Sequence, residues 1–285
     1  MPQQRSDTVK EFDFTRSDFE RVRALIYQRA GISLAESKQE MVYSRLARRL
    51  RATGIQSFVR YLDELEAGRL GAEWEAFTNA LTTNLTSFFR EAHHFPLLAD
   101  HLQALRRRDG APLTIWCSAA STGEEPYSIA MTACEAFGSL TPPVQVVATD
   151  IDTNVLAVGA NAVYPMERAE KAGQERLKRF FLKGKGANEG MARVRPEVRQ
   201  LVSFRQLNLL ADAWPLEGQF DAIFCRNVMI YFDKDTQRKI LARFVPLMKP
   251  HALLFAGHSE NFLYVSDSLR LRGKTVYELD GAARR

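Results

Sequence analysis

The sequence predicts a small all-α domain followed by an α/β domain, a doubly wound, mostly parallel sheet with a small inserted β-subdomain. Three observations predict this. Residues 14–81 show helical periodicity with no strand pattern. From residue 113, short β-rich runs alternate with helical stretches, as in parallel sheets. Between the second and third strands lie roughly 40 residues more than a crossover of ~10–12 residues requires. The implied boundaries are 1–81 for the helical domain, 82–112 for an interdomain linker and helix, and 113–285 for the α/β domain, with the insertion at about 164–201.

The composition is compatible with that reading. The 285 residues, 46% hydrophobic and 26% charged, exclude a disordered chain, a collagen and a coiled-coil rod. No run approaches the ~18 apolar residues of a membrane span, and the polar first 13 residues do not read as a signal peptide. Cys117, Cys134 and Cys225 have neither CxxC spacing nor neighbouring histidines, so reduced thiols in a cytoplasmic protein are expected, with no metal site.

In the first domain, Ser17 to Glu20 has capping-box spacing, Phe19, Val22 and Ile26 share one helical face, and Gly31 ends the helix. Ser37 to Glu40 reads as a second box, opening a helix with Val42, Leu46 and Leu50 and closed by Gly54. Phe58, Tyr61, Leu62 and Leu65 predict a third helix ended by Gly68, and Trp74, Phe77 and Leu81 a fourth. In the second domain, strands are expected at 113–117, 144–149, 202–204, 220–225 and 252–256, with a final hairpin through Gly273. Helices are expected at 124–137, 154–161 and 235–248. Within the insertion, 170–181 reads as a helix, 184–190 as a glycine-rich turn, and 191–195 alternates as an edge strand would.

The net charge of +5 is unevenly spread. Residues 1–80 carry 13 basic and 12 acidic side chains, whereas 164–205 carry 11 and 5, a local +6. That segment is either a solvated face or a docking surface for an acidic partner. On the second helix, Lys38, Arg45 and Arg49 fall within ~40° of one another at 100° per residue, with Arg48 beside them. The stripe could lie along an acidic helix or a phosphate backbone, or be an ordinary exposed face.

Doubly wound sheets bind ligands beyond the carboxyl ends of their strands. That edge receives residues 118–125, Asp150, Asn208, Arg226 and Asn227. The first turn holds only Gly123, so the dinucleotide fingerprint, whose glycines admit a pyrophosphate, fails. Ala119, Ala120 and Ser121 still permit a tight turn beside a ligand. A carboxylate at the end of the second strand, here Asp150, accepts from both ribose hydroxyls; its alternative role is a cap for the next helix. An adenosine cofactor without a diphosphate satisfies these features, and S-adenosylmethionine fits.

Five words extend the reading: Thr83-Asn-Leu-Thr-Ser-Phe-Phe-Arg90, Ala119-Ala-Ser-Thr-Gly-Glu-Glu-Pro-Tyr-Ser128, Ala148-Thr-Asp-Ile-Asp152, Phe220-Asp-Ala-Ile-Phe-Cys-Arg-Asn-Val-Met-Ile-Tyr-Phe232 and Phe255-Ala-Gly-His-Ser-Glu260. In this order they give a chain that resembles the bacterial chemotaxis receptor methyltransferases, the CheR family, from about residue 14 to 280. The resemblance implies a class I methyltransferase domain and a cytoplasmic protein-glutamate O-methyltransferase. It would esterify receptor glutamates for sensory adaptation and release S-adenosylhomocysteine. It implies Asn84, Thr86, Arg90, Glu125, Asp150, Asn208, Leu209, Arg226 and Asn227 around the cofactor, with Arg90 and Tyr231 as the catalytic pair. It implies receptor cytoplasmic helices as partners for Arg45, Arg48 and Arg49. In part of the family the insertion captures a receptor tail peptide, and Lys183, Arg193 and Arg195 are its candidate contacts here. A monomer with no nucleic-acid partner is expected.

Local chemistry leaves alternatives beside these roles. Glu124 and Glu125 could be first-turn acids favoured by the helix dipole. Arg226 could be a structural ion-pair partner, and Tyr231 a core aromatic. His258 follows the fifth strand, yet a glutamate of reference pKa ~4.3 is already ionised at neutral pH and needs no base. A nucleic-acid methyltransferase would carry an Asp/Asn-Pro-Pro-Tyr word where this chain has Cys-Arg-Asn-Val. A non-catalytic adaptor would not need the intact cofactor positions.

Overall fold

The computed structural model describes residues 10–109, 112–262 and 265–281. The chain divides into two compact units, Met1–Thr82 and Thr83–Arg285.

The first unit holds α1 (Arg16–Ala30), α2 (Gln39–Thr53), α3 (Phe58–Glu66) and α4 (Glu73–Leu81). The caps differ from the expected ones. Thr15, not Ser17, caps α1: its hydroxyl accepts from Asp18 N–H while the Asp18 carboxylate accepts from Thr15 N–H. Ser37 lies inside a 3₁₀ turn, and Lys38 precedes α2 with no side-chain cap. The turn at Glu36–Lys38 already carries the chain into helical geometry, so no Ser37 cap forms. Gly31 and Gly54 end α1 and α2 in the left-handed conformation, where glycine carries no Cβ penalty. Phe58, Tyr61, Leu62 and Leu65 form the buried face of α3; burial of each large apolar side chain contributes about 1.5–3 kcal/mol.

The second unit begins with a loop and α5 (His94–Asp109), so residues 83–109 pack with the α/β part rather than standing apart. Next come β1 (Leu113–Cys117), α6 (Glu124–Phe137), β2 (Val144–Asp150), α7 (Thr153–Asn161), β3 (Val163–Pro165), α8 (Met166–Ala169), α9 (Gln174–Phe180), β4 (Phe181–Lys183), β5 (Met191–Val194), α10 (Pro196–Arg199) and β6 (Val202–Gln206). The chain ends through β7 (Phe220–Cys225), α11 (Lys234–Phe244), β8 (Met248–Ala256), β9 (Leu269–Gly273) and β10 (Val276–Leu279).

Seven strands form the main sheet in the order β6-β2-β1-β7-β8-β10-β9. The first five are mutually parallel, and β10 is antiparallel to both its neighbours. Strand side chains alternate between two cores, the period-2 rule of a sheet buried on both faces. Ile115, Cys117 and Phe224 pack with Leu98 and Leu102 of α5 and with Ile129 and Ala133 of α6. Trp116, Ile223 and Cys225 face Ile240, Leu241 and Phe244 of α11. Strand direction and order place the carboxyl ends of β1, β2, β6, β7 and β8 along one edge.

The insertion is a three-stranded antiparallel sheet, β3-β5-β4. Its centre is β5, pairing with β3 through Arg193↔Val163 and with β4 through Arg193↔Leu182. This corrects the expected edge strand at 191–195: alternation marks a half-buried strand but carries no information on whether one neighbour or two will pair with it. The single helix expected at 170–181 is interrupted at Gly173, whose φ of 90° no regular helix accommodates. No helix among the described residues is long and apolar enough to cross a membrane.

Candidate active site

Five loops and the segment before α5 meet at the carboxyl edge of the sheet. Their conformations are unusual. Phe89, Glu91, Ser121 and Asn227 all have φ between 48° and 58°. Non-glycine residues adopt that region only when the surroundings hold them, and such residues cluster at functional sites.

Asp150 ends β2 and is buried. Its Oδ2 accepts from Ser121 N–H at 2.8 Å and its Oδ1 from Asp152 N–H at 3.0 Å. Burial pushes the carboxyl up to about 6 despite these two donors. Asp152, the alternative helix cap, accepts from Asn154 and Val155 N–H and so caps α7, leaving Asp150 free of that duty. Asn84 approaches from the other side: its Nδ2 donates to Asp152 Oδ2 at 2.9 Å, and its carbonyl accepts from Ser121 Oγ at 3.1 Å. Thr86, partly buried, follows two residues on. Arg90 Nη1 donates to the carbonyl of Leu85 at 2.9 Å, closing residues 85–90 into a compact turn.

Beneath these residues lies a buried charge cluster. The Arg226 side chain has no exposed surface; its Nη1 donates to Glu125 Oε2 at 2.6 Å and its Nη2 to the carbonyl of Arg90 at 2.5 Å. Nη2 also stands 3.2 Å from Glu91 Oε2. Glu125 additionally accepts from Cys117 Sγ at 3.2 Å. Burial raises the Glu125 carboxyl, with Arg226 opposing. For Glu91, burial acts upward, but Arg226 and hydrogen bonds from His258 N–H and Asn227 Nδ2 outweigh it, leaving the carboxyl below its ordinary range. Arg226 is therefore the ion-pair partner of two acids and ties the loop after β7 to residues 90–91. A lone charge there would be strongly destabilising; the pair and its hydrogen bonds make burial tolerable.

Asn227 follows in a left-handed turn that one acid holds. Glu260 accepts from the backbone N–H groups of Asn227, Val228, Met229 and Gly257, at 2.5–3.0 Å. Gly257 permits this: a Cβ there would lie 2.5 Å from Asn227 Nδ2 and 2.7 Å from Glu260 Oε2. On the sheet's other flank Asn208 Oδ1 accepts from Leu210 N–H at 2.9 Å, and Leu209 is buried. Tyr231 closes the 3₁₀ turn Met229–Tyr231 and is partly exposed. His258 is exposed, and its backbone N–H rather than its ring meets Glu91.

The edge thus gathers Asn84, Arg90, Glu125, Asp150, Arg226 and Asn227 with Ser121 of the expected tight turn, and adds Glu91 and Glu260, to which the residue-level reading gave no role. Glu91 directly follows one quoted word and Glu260 ends another, but only the folded loops reveal what they hold. Glu91, His93 and His94 bring three metal-ligating atoms within 4.8 Å of one another. Arg226 already supplies positive charge beside that trio, and burial lowers His94 to about 4. As to cofactors, the acceptor-only Asp150 carboxylate matches a diol donor.

The basic residues expected to bind substrate are placed differently from one another. Arg49 is clamped on the buried Glu73 by two hydrogen bonds of 2.9 and 2.7 Å, and Tyr61 donates to the same acid. Arg45 donates to the carbonyls of Ala80 and Thr82 at 3.2 and 2.5 Å. The expected open stripe is therefore not one: two of its guanidinium groups are taken up inside the first unit, and Arg48 and Lys38 remain exposed. In the insertion, Lys183 and Arg193 are exposed, whereas Arg195 is partly buried.

Comparison with known proteins agrees along most of the chain. Residues 84–277 match the family model for the CheR methyltransferase, SAM binding domain, and residues 17–82 that for the CheR methyltransferase, all-alpha domain. The chain is 57% identical over 268 residues to chemotaxis protein methyltransferase 2 of Pseudomonas aeruginosa, covering 94% of this chain and 95% of that one. It is 55% identical over 261 residues to the chemotaxis protein methyltransferase of Escherichia coli, covering 92% and 90%.

Proposed function

The chain belongs to the CheR methyltransferase family, and from that premise we propose that it transfers a methyl group from S-adenosylmethionine to glutamate carboxylates of chemotaxis receptors, acting from the cytoplasm. The observation that carries the reading is the acceptor site built at the sheet's carboxyl edge, within the segment that matches a SAM-binding domain. Asp150 would take the two ribose hydroxyls. Asn84 and Thr86 would close over the cofactor, with Asn208 and Leu209 beside the adenine. Arg90 would face the carboxylate of the amino-acid end, and the outer oxygen edge of Glu125 its ammonium. Arg226 acts one layer below, holding Glu125 and the Arg90 carbonyl.

When bound, S-adenosylmethionine supplies a methyl group on a cationic sulfur, which a carboxylate oxygen can displace in line. Attack neutralises both charges, so a site that excludes water favours it, and alignment provides much of the acceleration. The acceptor needs no general base, because a glutamate is ionised at neutral pH. The residues of the chain therefore orient and desolvate: Glu260 fixes the loop bearing Asn227, and Tyr231 stands at its outer end beside the entering side chain.

The experiment is incubation with methyl-labelled cofactor and receptor-bearing membranes, followed by alkali. A carboxyl ester releases labelled methanol; alkali-stable label would instead mean N-methylation and overturn the assignment.

For the insertion we propose capture of a receptor tail as an added strand. With β5 central, the sheet's two edges are β3 and β4; β4 suits an added strand, since its Leu182 and Lys183 are exposed and Arg193 is paired across from Leu182. Tethering would raise the local enzyme concentration without touching the chemistry. A tail peptide that fails to bind the intact protein rules this out.

A further inference from the structure

The loop after β1 is held from outside the sheet by the insertion. Tyr164 on β3 donates its hydroxyl to the Thr122 carbonyl at 2.8 Å. Arg168 on α8 donates through Nη2 to Thr122 Oγ1 at 2.7 Å and to Glu124 Oε1. Thr122 Oγ1 donates in turn to Glu124 Oε2 at 2.7 Å. The Glu124 side chain is fully buried, and Arg168 is its ion-pair partner among the described residues. A buried carboxylate stranded without its cation is costly, so this pair locks residues 122–124 in place.

Those residues directly follow Ser121, the strained residue whose N–H meets Asp150. Gly123 transmits the lock. A Cβ there would lie 2.7 Å from the Tyr164 hydroxyl and 2.8 Å from Gly159 Cα, so the loop fits against β3 and α7 with no slack. The insertion reaches the other cofactor segment as well: the Phe88 ring meets Tyr164 and Phe181 edge-on at 5.0 and 5.3 Å.

We propose that Arg168 is a positioning residue for methyl transfer. Carried on the insertion, it fixes residues 121–124 in the shape in which Ser121 N–H holds the Asp150 carboxylate for the cofactor. The insertion thereby serves the cofactor site independently of any receptor tail. This rests on the reading of Asp150 as a cofactor contact.

The test is Arg168→Gln, read by titration calorimetry with S-adenosylhomocysteine and by steady-state kinetics on receptor membranes. Loss of a charge-assisted anchor should raise the Kd and the cofactor KM together by about ten-fold. kcat at saturating cofactor and the receptor KM should stay within about two-fold. Arg168→Lys should recover most of the affinity. The double variant Arg168→Gln, Glu124→Gln should recover part of it, because no buried anion is left unpaired. Wild-type protein that does not bind S-adenosylhomocysteine sinks the cofactor reading itself. Wild-type protein that binds, with Arg168→Gln of equal affinity or with loss confined to kcat or receptor KM, overturns the positioning role. If Arg168→Gln does not fold, the double variant decides: affinity equal to wild type overturns the proposal, and affinity below that of Arg168→Lys supports it.

Discussion

Asp150→Asn should make the free protein more stable and the cofactor complex weaker. Burial raises Asp150 from 3.8 to about 6. The gap corresponds to about 3 kcal/mol at 1.36 kcal/mol per pH unit. The sign follows from which state holds the proton longer. The unfolded chain releases it near 3.8 and the folded protein only near 6, so above pH 6 the folded state carries the full penalty of a buried anion. Asparagine removes that charge at nearly constant volume. Its single oxygen can accept from Ser121 or Asp152 but not both, which costs about 1–2 kcal/mol. The net gain at pH 7 is about 1–2 kcal/mol, a rise of a few degrees in Tm. Affinity moves the other way. Two ribose hydroxyls lose a charged acceptor, at about 1.5–3 kcal/mol per bond with partial compensation from the amide, so S-adenosylhomocysteine should bind about 30-fold or more weakly. Wild-type affinity should also fall as pH drops below about 6, and the variant's should not. Calorimetry between pH 5 and 8, with thermal melts of the ligand-free proteins, measures all three. A variant that binds within about three-fold of wild type, or a wild-type affinity flat through pH 6, would refute the assignment of Asp150.

His258→Ala should retain most activity, since only its backbone N–H is used, and turnover at saturating cofactor should be flat from about pH 6.5 to 8; a fall of ~10²-fold would make the ring a general acid–base group. Glu260→Gln should lower stability by about 2–3 kcal/mol in urea titration and reduce kcat, because an amide oxygen cannot serve four backbone donors on both of its edges. Arg48→Glu should raise the receptor KM and flatten the weakening by salt expected of the wild type, at unchanged Tm, whereas Arg49→Glu should cost up to about 3 kcal/mol of stability by stranding Glu73; equal behaviour of the two variants in melts and kinetics contradicts the difference in their surroundings.

The carboxyl-edge position of Asp150 shows how far local spacing reaches, whereas which of Asp150 and Asp152 caps α7 was decided by the fold. A strand of known direction ending in an acid places that acid, and in the fold the second acid, two residues later, takes the N-cap. The Arg45 and Arg49 stripe shows where spacing stops. Periodicity assigned both to one face of α2, but their partners Glu73, Ala80 and Thr82 lie 24 to 37 positions away on another helix and its end. No rule of spacing couples positions that far apart. The same holds for 191–195, where alternation is identical for a strand with one neighbour or with two.

By itself, the sequence determined what is encoded within a few residues: the helix and strand periods, the terminating glycines, the strand-end acid, and the family to which the five words belong. Tertiary structure alone decided the partners: Arg226 with Glu125 across 101 positions, Glu260 with the backbone of Asn227, and Arg168 of the insertion with Glu124. The physical reason is that a dihedral preference or a hydrophobic period is set by chain neighbours. A buried charge instead selects whichever complementary group the packed sheet brings within 3 Å, and that choice exists only once the core has formed.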